Sequence, residues 1–172
     1  MTTPIKFGTD GWRAIIAEDF TFENVRLCAQ ATAAYTKETG LAGRGLVVGY
    51  DTRFESDRFA EATAEVLAAN GIPVFLCDRP APTPVVGYSI LKQNAAGSIV
   101  ITSSHNPAIY SGFKVRTDYA GAAPPEVASR IETLAGETGA NGVERMSLDE
   151  AKGRGIVQMI DPETPYTAHI SQ

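Results

Sequence analysis

The chain has 172 residues, a length that suits one domain. Fifteen lysines and arginines stand against 20 aspartates and glutamates, a formal charge of −5 that excludes a dedicated nucleic-acid surface. The 44% apolar share suffices for a core, no apolar run approaches the ~20 residues that cross a bilayer, and residues 1–6 lack a signal-peptide core. A cytoplasmic protein with no membrane partner is expected, and any anionic ligand must be met by a few local basic groups.

The chain opens on Phe7-Gly8-Thr9-Asp10-Gly11-Trp12-Arg13, which packs two glycines, a carboxylate and a guanidinium into one loop. Phe22, Val25, Ala29, Thr32 and Ala33 then recur at helical spacing, and Gly40 stops that helix. Residues 46–50 form a short apolar strand. Ser56 is expected to cap a second helix, with Phe59, Thr63, Val66, Leu67 and Asn70 as one stripe and Gly71 as its stop. Residues 72–77 are strand-like, with Pro73 near the start, where a missing N–H is tolerable. Cys28 and Cys77 fall in these patterns and are expected to be buried, reduced thiols.

Thr83 as N-cap and Pro84 at the first helical position predict a third helix through about Leu91. Residues 97–101 form a buried strand, and Asn106-Pro107 turns the chain out of the sheet soon after. Residues 112–116 read as a returning strand. Pro124-Pro125 opens a fourth helix with Val127, Ile131 and Leu134 inward, and residues 136–141 are polar and glycine-containing. Ser147 caps a short helix within 146–151, residues 156–160 form one more strand, and residues 161–165 read as a linker. Strands alternating with helices predict an α/β fold: three layers, a mostly parallel mixed sheet, helices on both faces. The expected domain spans residues 5–160, followed by a linker at 161–172.

Chemistry concentrates at the strand ends. Thr102-Ser103-Ser104-His105-Asn106-Pro107 leaves the buried strand with two hydroxyls and an imidazole where open α/β sheets place their ligands. Asp51 and Arg53 leave the strand at 46–50, and Asp51 is expected to orient Arg53 or to hold Arg13. Lys114, in Gly112-Phe113-Lys114, comes within reach of Ser104 if residues 105–111 fold back.

In this order the motifs resemble the first domain of the α-D-phosphohexomutases, the phosphoglucomutase/phosphomannomutase family. The matching pieces are residues 7–13, Gly49-Tyr50-Asp51-Thr52-Arg53, Pro82-Thr83-Pro84, the 102–107 hexapeptide and Gly112-Phe113-Lys114. The resemblance implies that Ser104, the serine directly before the histidine, carries a phosphoryl group and donates it to a hexose monophosphate. A bisphosphorylated sugar forms, turns over and returns its other phosphate, so that phosphate moves between O1 and O6. It further implies that Arg13 and Lys114 neutralise charge and assist proton transfer. Asp51 and Arg53 form a supporting ion pair, with Ser103 and Asn106 beside the phosphate. His105 orients the serine loop or binds phosphate, because adjacent residues of an extended segment point to opposite faces.

The implied cofactors are Mg2+, which the Ser104 phosphoryl group would help to hold, and an activator of the glucose 1,6-bisphosphate type. Two positions depart from the family pattern: Ser111 stands where many members have asparagine, a change that keeps a polar turn residue, and Ala14 where many have glycine. The family's Asp-Gly-Asp-x-Asp-Arg magnesium loop, its sugar-recognition loop and its last phosphate loop do not occur in this sequence. The chain is therefore expected to be one domain of a longer mutase, inactive by itself, whose partners are the remaining domains and the hexose phosphate.

Three other readings are weighed. A serine hydrolase would want a Gly-x-Ser-x-Gly elbow, and Ser104 has no flanking glycine. A dinucleotide fold would want its glycines between strand and helix, whereas Gly40, Gly43 and Gly45 lie between helix and strand. A non-catalytic binding or regulatory module derived from the same domain is the alternative to the mutase.

Overall fold

Side-chain alternation along the strands sets the layers. In the computed structural model, which describes residues 5–8 and 10–171, Leu46, Val48, Val74, Leu76, Ile99 and Ile101 share one buried cluster. Val47, Cys77 and Val100 share a second, on the other face of the sheet. Met1 to Pro4, Thr9 of the N-terminal motif and Gln172 lie outside the described residues.

The strands are β1 (Trp12–Ile15), β2 (Leu46–Tyr50), β3 (Val74–Cys77), β4 (Gly97–Ile101), β5 (Tyr110–Thr117) and β6 (Val157–Ile160). Among them run helices α1 (Phe22–Glu38), α2 (Ser56–Ala69), α3 (Thr83–Gln93), α4 (Pro125–Asn141), α5 (Leu148–Gly153) and α6 (Glu163–Ile170). The sheet order is β1-β5-β4-β2-β3-β6. β4, β2, β3 and β6 are mutually parallel, while β5 runs antiparallel to both β4 and β1. The first cluster packs under α1, α2, α4 and α5, and the second under α3 and α6, which completes the expected three-layer α/β/α fold.

Aromatic packing locks the first face. Phe20 is wholly buried, stacked on Trp12 with ring centroids 5.0 Å apart and edge-on to Phe59 at 4.9 Å. Burial of such a side chain contributes about 1.5–3 kcal/mol.

Several boundaries differ from expectation. Ser56 is not a cap: Glu55 precedes the helix in a left-handed conformation (φ 58°), and the Ser56 hydroxyl donates to Asp51 Oδ1 at 2.8 Å. Pro82, not Thr83, is the N-cap of α3. Residues 136–141 do not break α4, because Ala135 and Thr138 are buried and the Thr138 hydroxyl bonds back to the Leu134 carbonyl. That packing outweighs the roughly 1 kcal/mol a helical glycine costs. Part of the expected linker is α6, whose first turn Asp161 caps by accepting from the Glu163 and Thr164 amides. Pro165 sits in that first turn, where no N–H is needed. Tyr88 of α3 meets Tyr166 edge-on at 5.8 Å and stacks on His169 at 4.8 Å, which docks α6 on the second face. Ser111 is no turn residue: it is wholly buried within β5, opposite Ala14.

The topology makes a crevice. β2 leads through α2 to β3 on one side, and β3 leads through α3 on the opposite face to β4, which lies on the other side of β2. Such a reversal of strand order leaves an opening at the carboxyl ends of the strands.

Candidate active site

The serine loop grows directly out of β4. Its first residue is pinned when the Thr102 amide donates to the Gly112 carbonyl at 2.9 Å. The Thr102 hydroxyl then accepts from the Ser104 amide at 3.0 Å, and the Asn106 amide donates to the Ser103 carbonyl at 3.1 Å. This double turn holds Ser104 at φ +57°, a left-handed conformation that non-glycine residues rarely adopt and that costs of order 1–3 kcal/mol. Ser104 is exposed at the loop tip, while Ser103 is wholly buried with its hydroxyl unpartnered. His105 is exposed and has no hydrogen-bond or ion-pair partner among the described residues.

The loop after β2 grips the serine loop from the side. Asp51 Oδ1 accepts from the Arg53 amide and Oδ2 from Arg53 Nε, at 3.0 and 3.1 Å. Arg53 Nη1 donates to the carbonyls of Pro107 and Tyr110, and Nη2 to those of Ser104 and Asn106, all within 2.8–3.0 Å. Asp51 thus orients Arg53 and not Arg13, the other expected possibility.

The N-terminal segment closes the third side. The Gly8 amide bonds to the Gly11 carbonyl at 2.9 Å, and Gly11 adopts φ +99° against β5. A Cβ on Gly11 would lie 2.5 Å from the Phe113 carbonyl oxygen. This tight approach brings Asp10 to Lys114, which is 3% exposed and whose ammonium donates to Asp10 Oδ2 at 2.5 Å. Arg13 and Arg116 each come within 4.0 Å of the same carboxylate. Arg13 Nη1 in turn donates to Asn106 Oδ1 at 3.0 Å.

Two recesses result. A cleft of about 610 Å3 is lined by Asp51, Phe54, Thr83, Thr102, Ser104 and Asn106, among others, and Arg53 also borders it. A second, of about 270 Å3, is lined by Lys6, Gly8, Asp10, Gly11 and Arg13. The Arg13–Asn106 hydrogen bond joins their walls. The cleft therefore gathers Ser104, Asn106, Asp51 and Arg53, and Arg13 reaches it through Asn106. Lys114, His105 and Ser103 line neither recess. Lys114 meets the site through Asp10, not by facing Ser104.

Sequence reasoning did not single out Phe54, Thr52 or Thr83 as cleft residues, although their places just after β2 and at the start of α3 are what the topology selects. Nor did it find Asp10 as the common partner of three cations, since that depends on the β1–β5 register.

The sequence profile described as phosphoglucomutase/phosphomannomutase, alpha/beta/alpha domain I, matches residues 4–141. The chain belongs to this family. A phosphoglucomutase from Komagataeibacter xylinus is 33% identical over 177 aligned residues, which cover 96% of this chain and 32% of the relative. Glucose 1,6-bisphosphate synthase from Homo sapiens is 38% identical over 120 residues, covering 63% of this chain and 19% of that protein. A solved structure from Thermus thermophilus, provisionally designated a phosphomannomutase, superposes with a TM-score of 0.83 at 36% identity, over 98% of this chain and 37% of the other. The chain thus spans about a third of the length of the phosphohexomutases it matches end to end.

Magnesium is the metal implied for this family. Among the described residues no group of three or more His, Cys, Asp or Glu side chains is disposed to hold a metal ion. The described side chains thus offer Mg2+ no such cluster by themselves; a phosphoryl group on Ser104 would add oxygen ligands. No helix is long and apolar enough to cross a membrane among the described residues.

Proposed function

We propose that this chain is the phosphoserine-bearing domain of a cytoplasmic phosphohexomutase, acting on a hexose 1- or 6-phosphate. The observation that carries this reading is Ser104, held in a left-handed turn at the end of β4 and exposed over a cleft that Asn106 links to Arg13. Relatives named phosphoglucomutase and glucose 1,6-bisphosphate synthase support the substrate class.

In this reading the Oγ–P bond of phospho-Ser104 breaks as phosphorus bonds to the free hydroxyl oxygen of the sugar. The sugar hydroxyl loses its proton and Ser104 Oγ gains one. The sugar bisphosphate then presents its other phosphate and the step reverses, which restores phospho-Ser104 and yields the isomer. The same bisphosphate, supplied free, primes an unphosphorylated Ser104.

Phosphoryl transfer depends chiefly on positioning and charge neutralisation. A phosphoserine carries about −1.5 to −2 charges at pH 7, so a second phosphate is repelled unless cations intervene. Arg13, which lines the adjoining recess and bonds Asn106 on the cleft wall, is the cation with donors left for an entering phosphate. Lys114 stands behind it through Asp10 and serves the site by holding that carboxylate. His105, free of partners among the described residues, is available to an incoming phosphate and has no acid to make it a triad base.

The test is Ser104→Ala in the gene-encoded protein containing this chain, with conversion of glucose 1-phosphate followed directly. Turnover is expected to fall by roughly three orders of magnitude or more, as for loss of other covalent nucleophiles. One phosphate should be found by peptide mass spectrometry on Ser104 of the active protein. Residues 1–172 expressed alone are expected to give no conversion. Undiminished turnover by Ser104→Ala refutes the reading, and a folded protein with neither phosphate nor turnover favours the non-catalytic module instead.

A further inference from the structure

The guanidinium of Arg53 is spent entirely on the protein. We infer that Arg53 is the positioning residue of the serine loop: a clamp that holds Ser104 in its left-handed turn, and not a ligand of substrate phosphate. The inference rests on the mutase reading for its kinetic consequence but not for its structural one.

A guanidinium has five N–H donors in a fixed fork and no acceptor. In Arg53 all five are engaged: Nε on Asp51, two at Nη1 on Pro107 and Tyr110, two at Nη2 on Ser104 and Asn106. Four acceptors are main-chain carbonyls of one loop, spread over residues 104–110. A basic residue bordering a cleft beside the serine loop would ordinarily be assigned to a phosphate, but here no donor is left for it. Arg13 differs: its contacts are Asn106 at 3.0 Å and Asp10 at 4.0 Å, which leave donors for an anion.

The clamp is itself braced. Asp51 Oδ1 accepts from the Arg53 amide and from the hydroxyl of Ser56, the first residue of α2. The loop is thereby tied to a helix whose first residue is wholly buried. The left-handed φ of Ser104 is disfavoured by its own sterics and persists only where the surroundings impose it. The Arg53 bond to the Ser104 carbonyl acts at that residue itself. Lysine cannot substitute, since an ammonium has three donors, no planar fork and no way to span four carbonyls.

Two measurements test this. On residues 1–172, amide hydrogen exchange is compared between the native chain and Arg53→Lys. The clamp predicts faster exchange confined to 104–110, with β2, β4 and α2 protected as before. In the gene-encoded protein, Arg53→Lys should lower kcat by about 100-fold, the scale of an ångström-sized misplacement of a reacting group. KM for the hexose phosphate should stay within about twofold of the native value if the lost contacts serve positioning and not binding. Arg53→Ala with added methylguanidinium should recover part of that kcat, and if Arg53→Ala does not fold, Asp51→Asn replaces it as a second route to a loosened clamp.

A raised KM with kcat retained would make Arg53 a phosphate ligand and overturn the inference. So would unchanged exchange in the 104–110 loop, or a loss of melting temperature with kcat and KM both intact. Ser104→Ala run alongside separates the two readings. If it keeps full turnover the mutase assignment fails, whereas an inactive Ser104→Ala beside a fully active Arg53→Lys removes only the clamp.

Discussion

Gly11 is where a single missing methyl group decides the geometry of the site. Its backbone lies at φ +99°, and an added Cβ would sit 2.5 Å from the Phe113 carbonyl oxygen and 2.9 Å from the Lys114 Cα. Gly11→Ala must therefore push β1 away from β5 and carry Asp10 off Lys114. A strained left-handed alanine plus the clash predicts about 2 kcal/mol of lost stability, or a melting temperature lower by roughly 4–8 °C in a chain of this size. Gly40→Ala is the control: its φ is +74° but the space around it is open, so its loss should be clearly smaller. Equal losses would show that backbone conformation alone, and not the approach to β5, accounts for the Gly11 effect. At this scale the sequence singled out Ser104, Arg13 and Asp51–Arg53 as candidate positions, and the structure places Ser104, Asp51 and Arg53 at one cleft with Arg13 hydrogen-bonded to its wall. The sequence could not reveal that Arg53 bonds four carbonyls, because main-chain acceptors leave no mark in residue identity. Lys114 was expected within reach of Ser104 and is instead held by the Asp10 carboxylate, a pairing set by the register of β1 on β5.

Between elements, α1 and α4 are joined at the surface by Arg130, which donates to both carboxylate oxygens of Glu38 at 3.0 and 2.5 Å. That hydrogen bond holds the Glu38 carboxyl below its usual range and pushes the Arg130 guanidinium up. A carboxyl lowered in the folded state contributes its stability above the unfolded pKa of about 4.3 and loses it as pH falls through the lower, folded value. The melting-temperature gap between the native chain and Arg130→Ala should thus be largest near neutrality, shrink below about pH 4 and diminish in high salt. A gap independent of pH would mean that Arg130 acts through packing alone. Long helices with a clear stripe, such as α1 and α2, were readable almost to the residue, as were β2 and β4. β1 was not, because a short strand held by one neighbour on the sheet edge shows no pattern of its own. The end of α4 and all of α6 were not read as helix, because glycine and proline there weigh against one. Buried Thr138, the Asp161 cap and the Tyr88–Tyr166 contact overrule that local signal.

For the molecule as a whole, alternation of strands and helices sufficed for the three-layer fold, while the sheet order came only from the structure. That order matters because it puts β4 beside β2 and so brings the loops at 51–55 and 102–109 to one crevice. The core also fixes the two thiols. Burial pushes the Cys77 thiol up to about 12 and raises that of Cys28 as well. Neither should react with a thiol reagent at about pH 8 in the native chain, and both should react once it is unfolded. Rapid native labelling would indicate an opening of the core around α1 or β3.

Ser104 is exposed on a loop that borders the open cleft. A phosphate ester there would stand in bulk water, open to hydrolytic attack and to any phosphatase able to admit a short loop. Under the mutase reading, anything that covered this loop would lengthen the life of such an ester. The lifetime of the ester on the bare chain, set against its lifetime when covered, would measure how much of the shielding is borrowed.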